Sequence, residues 1–387
     1  MALYNAPTKL LIDYDINSVG QLIKSYGYKK VLLVYGLGSI KKSGLYDNVI
    51  NSLNANEVDY IELSGVEANP KVSLIREFSK RDEEFDFILA VGGGSVIDTA
   101  KNIAVSYESG LDPWVFNSHE VTPSKALPIG VILTISAAGS EMSSSCVITN
   151  MDINVKQGFN SELIRPVFAI MNAELTYSVS KYQTACGIVD IMMHTLERYI
   201  SNERSMLADE FALGLLSTVV KNGFIAYNDP TNYQARKELM LASSFSHNGL
   251  THIGRTYLLR AHLFEHIISG IYDEVAHGAG LAIVWPAYSK YVYKNPSLTP
   301  LFANLAYRVF DVDDSGDMIK DAYIGIVKME EFFKSLNMPT SLNDLNIDES
   351  NLERFALRLT NDKQKVIKDV VDIDYDVAYE IFKLMYR

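Results

Sequence analysis

The sequence predicts an α/β domain with a mainly parallel sheet, followed by an all-α helical domain, with a cleft between the two. In the first half of the chain, short β-branched runs alternate with amphipathic stretches, which is typical of a parallel sheet covered on both faces. After residue 181 the apolar residues recur with a period near 3.6, which indicates packed helices. The length of 387 residues also favours two domains. We place them at 1–178 and 179–387.

The individual elements follow from the same two periodicities. Strands are predicted at residues 31–35, 59–63, 85–91, 129–134 and 167–171. Helices are predicted between them at 45–53, 72–78 and 96–107. In the second half, helices are predicted at 190–199, 208–220, 236–246 and 319–336.

Composition excludes several classes of protein. The chain has 35 basic and 47 acidic residues, a net charge of −12, which argues against a nucleic-acid partner because phosphates require a basic face. The longest apolar stretch, 126–138, is shorter than the roughly 20 residues that span a bilayer, so no membrane partner is expected. Residues 1–15 show no secretory signal. Two cysteines in apolar contexts, Cys146 and Cys186, favour free thiols in a reducing cytoplasm.

A run of glycines opens the predicted helix after the strand 85–91. Residues 91–101 read VGGGSVIDTAK, in which the glycines let backbone amides approach an anion and the helix N-terminus supplies further donors. Ser95 and Asp98 have the spacing of a capping box. A tight turn without a ligand is the alternative, but this context favours a phosphate site that includes Asp98.

A second glycine loop follows the strand 31–35. It contains Gly36, Gly38 and Ser39 but lacks the third glycine of the dinucleotide fingerprint, so alone it is compatible with a simple turn. Its position adds weight, because loops at the carboxyl ends of parallel strands face the same crevice. Neither loop ends in G-K-[ST], which argues against a kinase-like phosphate loop. The two loops together predict a Rossmann-like nucleotide-binding domain.

Histidines and one carboxylate form spaced pairs in the helical half. Asp190 and His194 are four residues apart, as are His262 and His266, and His277 follows a predicted loop. This spacing puts both members of a pair on one helix face. One carboxylate with two or three imidazoles suits a single divalent Fe or Zn ion.

The alternative for each histidine is an ordinary residue satisfied by hydrogen bonds. Asp190 argues against that interpretation, since a carboxylate in an apolar stretch is unfavourable by several kcal/mol unless it is paired or bound to metal. His247 and His252 are interpreted as structural, and His119 lies in a polar segment with no assigned role.

Four ordered motifs, at residues 92–101, 139–142, 187–194 and 262–282, resemble the iron-containing (group III) alcohol dehydrogenase family. Within that family, segments 35–46, 182–194 and 276–286 resemble the butanol dehydrogenase-like branch. The resemblance extends over nearly the whole chain, to residues 338–342. It implies a nucleotide-binding α/β domain, a helical domain, a metal in the cleft, and a homodimer.

The resemblance also implies roles for particular residues. The family's metal ligands fall on Asp190, His194, His262 and His277, and His266 matches a histidine near the nicotinamide. Positions that bind the dinucleotide in the family match Asn69, Gly93, Gly94, Ser95 and Lys156 and, more loosely, Thr134 and Ser143.

Three departures from the family pattern are visible. Ala138 replaces the threonine of the family's Thr-Gly-Ser-Glu segment, which removes a hydroxyl from the cofactor loop. Asn172-Ala173 replaces an Asp-Pro pair, and the span 266–277 is one residue longer than in the family pattern.

The expected activity is the interconversion of primary alcohols such as butanol with their aldehydes, by hydride transfer to or from a nicotinamide cofactor. His266 or a water would relay the proton. NADP(H) is expected to be preferred over NAD(H), because Gly36 stands where the family carries an acidic residue against the ribose. Ser39, Lys41 and Lys42 then offer groups for a 2′-phosphate.

Two other functions remain open at this point. A sugar-phosphate cyclase of the dehydroquinate synthase type would share the two-domain plan, and it would need a basic cluster such as Arg198, Arg255 and Arg260 for the substrate phosphate. A non-catalytic nucleotide- or metal-binding protein would keep the glycine loops and lose a metal ligand.

Overall fold

The computed structural model describes residues 4–386 of the chain. The described residues divide into two compact units, Asn5–Val179 and residues 180–386 together with Tyr4. The first unit is built on a parallel sheet and the second consists of helices, so the predicted fold class is confirmed. Among the described residues, no helix combines the length and the apolar character that a membrane span requires.

The first unit contains a six-stranded parallel sheet in the order β1-β8-β5-β4-β2-β3. A separate antiparallel hairpin pairs β6 with β7. The strands are β1 (Lys9–Ile12), β2 (Lys30–Gly36), β3 (Asp59–Val66), β4 (Phe87–Gly92), β5 (Ile129–Leu133), β6 (Ser145–Asn150), β7 (Val155–Asn160) and β8 (Phe168–Met171).

Helices cover both faces of this sheet. The helices of this unit are α1 (Val19–Ser25), α2 (Ser39–Lys42), α3 (Leu45–Ala55), α4 (Val72–Phe78), α5 (Gly94–Ser109) and α6 (Trp114–Asn117), of which α6 contacts the β6–β7 hairpin. Helices α1 and α3 pack with alternate residues of β2 and β4, such as Val31, Leu33 and Leu89. Helix α5 contacts the same strands but adds no residue to that cluster, so it lies on the opposite face. Because both faces are covered, β4, β5 and β8 are buried at every position.

The strand order changes direction between β2 and β4. From β2 the chain moves outward to β3, then crosses back to β4 and continues to β5 on the other side. Ligands of open α/β sheets bind beyond the carboxyl ends of the strands at such a switch point. Both predicted glycine loops lie there, because Gly36 ends β2 and Gly92 ends β4.

The predicted strands and helices of this unit are confirmed, with ends that differ by a few residues. Strand β1 and the β6–β7 hairpin are absent from the prediction. The sequence of β6 shows little polar–apolar alternation, because Cys146, Val147 and Ile148 are consecutive apolar residues, and a short edge strand such as β1 gives a weak signal.

The second unit is helical. Its helices are α7 (Lys181–Tyr199), α8 (Met206–Asn228), α9 (Tyr233–His247), α10 (Arg260–Ser269), α11 (His277–Val292), α12 (Thr299–Val309), α13 (Met318–Ser335), α14 (Leu352–Leu359) and α15 (Tyr375–Met385). Short 3-10 helices in the two units are Ile16–Ser18, Glu162–Ile164, Ala173–Thr176, Leu250–His252, Leu342–Leu345 and Glu349–Asn351.

Helix α7 is the centre of this unit and is buried from Thr184 to its end. The Ser180 hydroxyl caps its N-terminus by accepting a hydrogen bond from Gln183 N. Helices α8, α9, α10 and α11 all contact it. The polar residues of α7 are therefore surrounded by protein. Because a buried polar group is unfavourable without a partner, each of them is expected to bind another group.

Candidate active site

Three histidine side chains converge on one carboxylate oxygen in the helical unit. Oδ1 of Asp190 lies 3.2 Å from Nδ1 of His194, 3.6 Å from Nε2 of His262 and 3.8 Å from Nε2 of His277. Helix α7 supplies Asp190 and His194 one turn apart, α10 supplies His262, and His277 is the first residue of α11. The four predicted ligands are thus brought together from three helices.

The donor set fits a divalent metal ion. Within residues 4–386, Oδ1 of Asp190 and Nε2 of His262 are buried atoms without a hydrogen-bond partner. Such atoms are unfavourable unless something binds them. A carboxylate together with imidazoles is a ligand set that suits Fe and Zn. One nitrogen or oxygen atom from each of Asp190, His194 and His262 lies within 4.8 Å of the other two.

Two buried glutamates orient the imidazoles. Glu197 pairs with Nδ1 of His262 and also accepts a hydrogen bond from the backbone N–H of Ala261. Glu265 pairs with Nδ1 of His277. Each pairing leaves Nε2 directed toward Asp190, as in metal sites whose ligating histidines donate their second N–H to a carboxylate. Both glutamates are fully buried.

The electrostatics of the site favour a cation. Burial lowers the pKa of His194 well below its ordinary value, and the neighbouring imidazoles lower it further, so this ring is neutral, as coordination of a metal requires. For His262, burial opposes protonation, but Glu197 and Asp190 outweigh it and raise the pKa to about 9. The buried negative charge around His262 therefore attracts a positive charge, which a metal ion would provide.

The glutamates were not predicted from the sequence, although a signal existed. Glu197 follows Asp190 by seven residues and lies on the same helix face, and Glu265 follows His262 by three. Both glutamates interrupt apolar stretches, as Asp190 does. His247, interpreted as structural, lies with its ring centroid 4.1 Å from that of His194.

His266 lies at the more accessible end of the histidine cluster. It is half-buried, and its ring centroid is 5.7 Å from that of His277 and 6.3 Å from that of His262. Ligand atoms of Glu265, His266 and His277 also lie within 4.8 Å of one another. His266 therefore adjoins the convergent side chains and is partly exposed.

The connection between α10 and α11 sets the position of His277. Residues 270–276 return the chain so that α11 begins at His277. The next residue, Gly278, lies so close to α7 that an added Cβ would be 2.2 Å from the backbone oxygen of Cys186. Glycine is required there, because this contact holds the start of α11 beside Asp190.

The glycine loop after β4 has almost no space for side chains. An added Cβ at Gly93 would lie 2.2 Å from Cγ2 of Ile135, and one at Gly94 would lie 3.3 Å from Cβ of Ala138. Within the described part of the chain, no side chain caps α5, whose N-cap is Gly93. The first turn of α5 therefore presents backbone amides without a competing side-chain acceptor, which suits an anion.

The predicted capping box is wrong. Helix α5 begins at Gly94, so Ser95 lies inside it and cannot serve as its N-cap. The Asp98 carboxylate instead accepts hydrogen bonds from Oγ of Ser140 at 2.6 Å and from N of Val147 at 2.9 Å. Asp98 therefore holds the segment after β5, and its carboxylate faces protein groups.

Lys101 is a buried ammonium that the sequence analysis did not identify. It donates to Oγ of Ser140 at 2.9 Å, to Oγ and O of Ser143 at 3.1 and 2.9 Å, and to O of Ser145 at 2.8 Å. Burial lowers the pKa of Lys101 to about 8, opposed by the nearby Asp98 charge. Burial likewise raises the pKa of Asp98, opposed by Lys101. The pair fastens the segment that includes Ser143 onto α5.

The other predicted cofactor residues lie around the carboxyl ends of the strands. Nζ of Lys156 donates to Oδ1 of Asn69 at 3.0 Å, and both residues are buried. Thr134 directly follows β5, and its N–H donates to the carbonyl of Gly92 at 3.1 Å. Gly36, Gly38 and Ser39 form the connection from β2 to α2, where Gly38 has a φ of +129° that favours glycine.

Comparisons with known proteins identify the family of the chain. The family model described as iron-containing alcohol dehydrogenase matches residues 7–173, and its C-terminal counterpart matches residues 184–383. The chain is 37% identical to an NADH-dependent butanol dehydrogenase A of Clostridium acetobutylicum over 99% of each chain. It is 32% identical to the NADPH-dependent aldehyde reductase YqhD of Escherichia coli over 92% of each chain.

Solved structures give the same result. The crystal structure of an NADH-dependent butanol dehydrogenase A from Thermotoga maritima superposes with a TM-score of 0.94 at 34% identity, covering 100% of this chain and 99% of that one. A structure of Escherichia coli YqhD superposes with a TM-score of 0.91 at 30% identity, covering 99% and 98%. The chain therefore belongs to the iron-containing alcohol dehydrogenase family of oxidoreductases.

Proposed function

We propose that the protein is a metal-dependent, NADP(H)-linked alcohol dehydrogenase and aldehyde reductase acting on primary alcohols such as butanol and their aldehydes. The observation that carries this proposal is the convergence of Asp190, His194, His262 and His277, with Oδ1 of Asp190 buried and lacking a hydrogen-bond partner among the described residues. These four residues would hold one Fe or Zn ion. When bound, that ion would supply Lewis acidity toward a carbonyl or alcohol oxygen.

The chain's own residues supply position and proton movement. Glu197 and Glu265 fix the ring orientations of His262 and His277. His266 is half-buried beside this cluster, so its imidazole is suited to exchange a proton with the substrate oxygen directly or through water. The nicotinamide supplies the hydride acceptor or donor.

The phosphates of the dinucleotide would bind to the first turn of α5, at Gly93, Gly94 and Ser95. The absence of a side-chain cap supports this assignment. Asn69, Lys156 and Thr134 border the same strand ends. Asp98 and Ser143 would act indirectly, because their side chains bind Ser140, Val147 and Lys101.

The preference for NADP(H) is proposed from the loop at residues 36–42. It carries Gly36 where an acidic residue would select NAD(H), and it offers Ser39, Lys41 and Lys42 to a 2′-phosphate. The names of the relatives include both cofactors, since the butanol dehydrogenases are named as NADH-dependent and the aldehyde reductase as NADPH-dependent.

The arginines of the helical unit argue against a sugar-phosphate cyclase. Arg255 pairs with Asp209, and Arg260 binds Asp369 at 2.5 and 2.8 Å. Arg198 is buried with its guanidinium 4.5 Å from the ring centroid of Tyr257. Because Arg255 and Arg260 are paired with internal carboxylates and Arg198 is buried against Tyr257, the three side chains do not form a basic cluster for a substrate phosphate. All four candidate metal ligands are also present, which argues against a non-catalytic binding protein.

The proposal is tested by absorbance at 340 nm with metal-reconstituted protein, butanal, and either NADPH or NADH. We expect butanal to cause oxidation of the cofactor, and this oxidation to be faster with NADPH than with NADH at equal concentration. No oxidation with a panel of straight-chain aldehydes would refute the activity. We also propose that the protein is a homodimer, which light scattering after gel filtration tests. We further propose that it resides in a reducing cytoplasm, which the two free buried thiols support.

A further inference from the structure

A carboxylate from the neighbouring strand binds the two tyrosines that stand on either side of the loop following β2. Glu62 lies on β3, next to β2 in the sheet, and is half-buried. Its Oε2 accepts a hydrogen bond from the hydroxyl of Tyr35 at 2.5 Å, and its Oε1 accepts one from the hydroxyl of Tyr46 at 2.8 Å. The sequence of residues 36–42 contains no carboxylate, but the folded loop therefore has one beside it.

The same two tyrosines hold Lys41. Its Nζ lies 4.5 Å from the ring centroid of Tyr46 and 5.2 Å from that of Tyr35. The two rings meet edge to face at a centroid distance of 5.7 Å. A hydrogen bond to Tyr35 and the Glu62 charge raise the pKa of Lys41. Lys41 is thus an exposed ammonium whose position depends on tyrosines that Glu62 orients.

This cluster lies where the adenosine ribose is expected. Tyr35 is the penultimate residue of β2, and Lys41 lies in α2, directly after the glycine loop at the switch point of the sheet. In dinucleotide-binding domains, the residue that discriminates the ribose 2′-hydroxyl from a 2′-phosphate lies near such a strand end. Lys41 is therefore suited to approach the 2′ substituent.

We propose that Glu62 is a specificity-determining positioning residue: through Tyr35 and Tyr46 it holds Lys41 and partly offsets its charge, which limits the preference for NADP(H) over NAD(H). This inference rests on the proposed function, in which Lys41 favours the 2′-phosphate. It identifies a residue outside the loop that sets the strength of that preference. Glu62 acts on the cofactor through Lys41, and no direct contact between Glu62 and the nucleotide is needed.

The test is a double-mutant cycle read by calorimetry with NADP⁺, NAD⁺ and adenosine 2′-monophosphate. Glu62→Gln removes the charge and retains an acceptor, so the affinity for NADP⁺ and for the 2′-monophosphate should rise about two- to fivefold, while the affinity for NAD⁺ stays unchanged. Lys41→Gln should lower the affinity for both 2′-phosphates. In the Lys41→Gln background, Glu62→Gln should have no further effect.

Glu57→Gln is the matched control, because it removes one exposed carboxylate that pairs with Lys24 at 3.2 Å and changes the net charge equally. An equal gain from Glu62→Gln with and without Lys41 would show that Glu62 acts on the phosphate directly, and would overturn the positioning role. No gain in either background would overturn it as well.

A second variant covers the case in which Glu62→Gln destabilises the sheet. Tyr46→Phe removes one hydroxyl donor and leaves both Glu62 and Lys41 in place. Any change in NADP⁺ affinity that it causes should therefore appear only when Lys41 is present. A change of affinity that persists in the Lys41→Gln background contradicts the inference. Failure of the proposed activity is distinguishable from failure of this inference, because binding of adenosine 2′-monophosphate reports on Lys41 and Glu62 without any turnover.

Discussion

Glu197 and Nδ1 of His262 share a buried hydrogen bond that leaves Nε2 of the same ring 3.6 Å from Oδ1 of Asp190. The glutamate thereby fixes both the tautomer and the rotation of a proposed metal ligand. Since Glu197 binds the ring nitrogen that does not face Asp190, its contribution is measurable as metal affinity.

Replacing Glu197 with Gln should weaken metal binding by about 10- to 100-fold, because a neutral amide orients the imidazole less firmly and lowers its basicity. Competition with a chelator measures this affinity. Glu210→Gln is the control, since Glu210 and Arg308 form an exposed pair on the same unit. Equal metal affinity of the Glu197 variant and the unmodified protein would contradict the orienting role.

Replacing His194 with Ala should abolish both stoichiometric metal and activity, because three remaining ligands hold the ion less well. Metal content by mass spectrometry and the rate with butanal are measured on the same preparation. NADP⁺ affinity should be retained, since the glycine loops lie in the other unit. A fully active variant with its metal retained would show that His194 is not a ligand.

Replacing Gly94 with Val should lower dinucleotide affinity by at least about tenfold, equivalent to about 1.4 kcal/mol. A branched side chain would obstruct the approach of phosphate to the first turn of α5, and its Cβ would meet Cβ of Ala138 at 3.3 Å. Calorimetry measures the affinity, and metal content should stay near normal. Gly214→Val on α8, where an added Cβ meets no atom within 4 Å, is the control. Unchanged cofactor affinity would identify the loop as a turn only.

Replacing Gly36 with Asp should shift the cofactor preference toward NAD(H) by about 1–3 kcal/mol, the range of a charged hydrogen bond. An added Cβ there lies 3.3 Å from the backbone oxygen of Val66, so a small adjustment accommodates it. The ratio of kcat/KM for NADPH and NADH measures the shift. A higher kcat/KM with NADH in the unmodified protein would refute the proposed preference itself.

The buried Lys101 should give stability a distinctive pH dependence. Burial lowers its pKa to about 8 in the folded chain, whereas in the unfolded chain it is about 10.4. Between these values the unfolded state binds more protons, so the contribution of Lys101 to the free energy of unfolding rises with pH, by at most about 1.4 kcal/mol per pH unit. Below pH 8 both states are protonated and this slope disappears.

Urea denaturation at pH 7 to 10 measures this slope, with the double variant Asp98→Asn, Lys101→Met as reference because it removes both charges of the pair together. The difference in unfolding free energy between the unmodified chain and this variant should be flat near pH 7 and rise above pH 8. A difference that stays constant to pH 10 would show that the ammonium is not perturbed by burial.

The sequence by itself determined the local elements and the placement of spaced polar pairs on one helix face. Period-2 and period-3.6 patterns depend on neighbouring residues, so the helix at 72–78 was predicted with the same ends as α4. For the same reason the spacing of Asp190 and His194 was sufficient to put them on one helix face, where their side chains lie 3.2 Å apart. The glycine run of 92–94 likewise marks a strand end followed by a helix.

Tertiary structure decided which polar partners complete each site. Glu197 meets a histidine 65 residues away, and Lys101 meets serines about 40 residues away across the segment after β5. Glu62 accepts a hydrogen bond from Tyr35, at the start of the loop 36–42, because β3 lies beside β2, although residues 36–42 alone contain no carboxylate. Such contacts depend on strand order and helix packing, which a local pattern does not encode. The free energy of a buried charge is set by these distant partners, and for that reason the chain's electrostatics are determined only once it is folded.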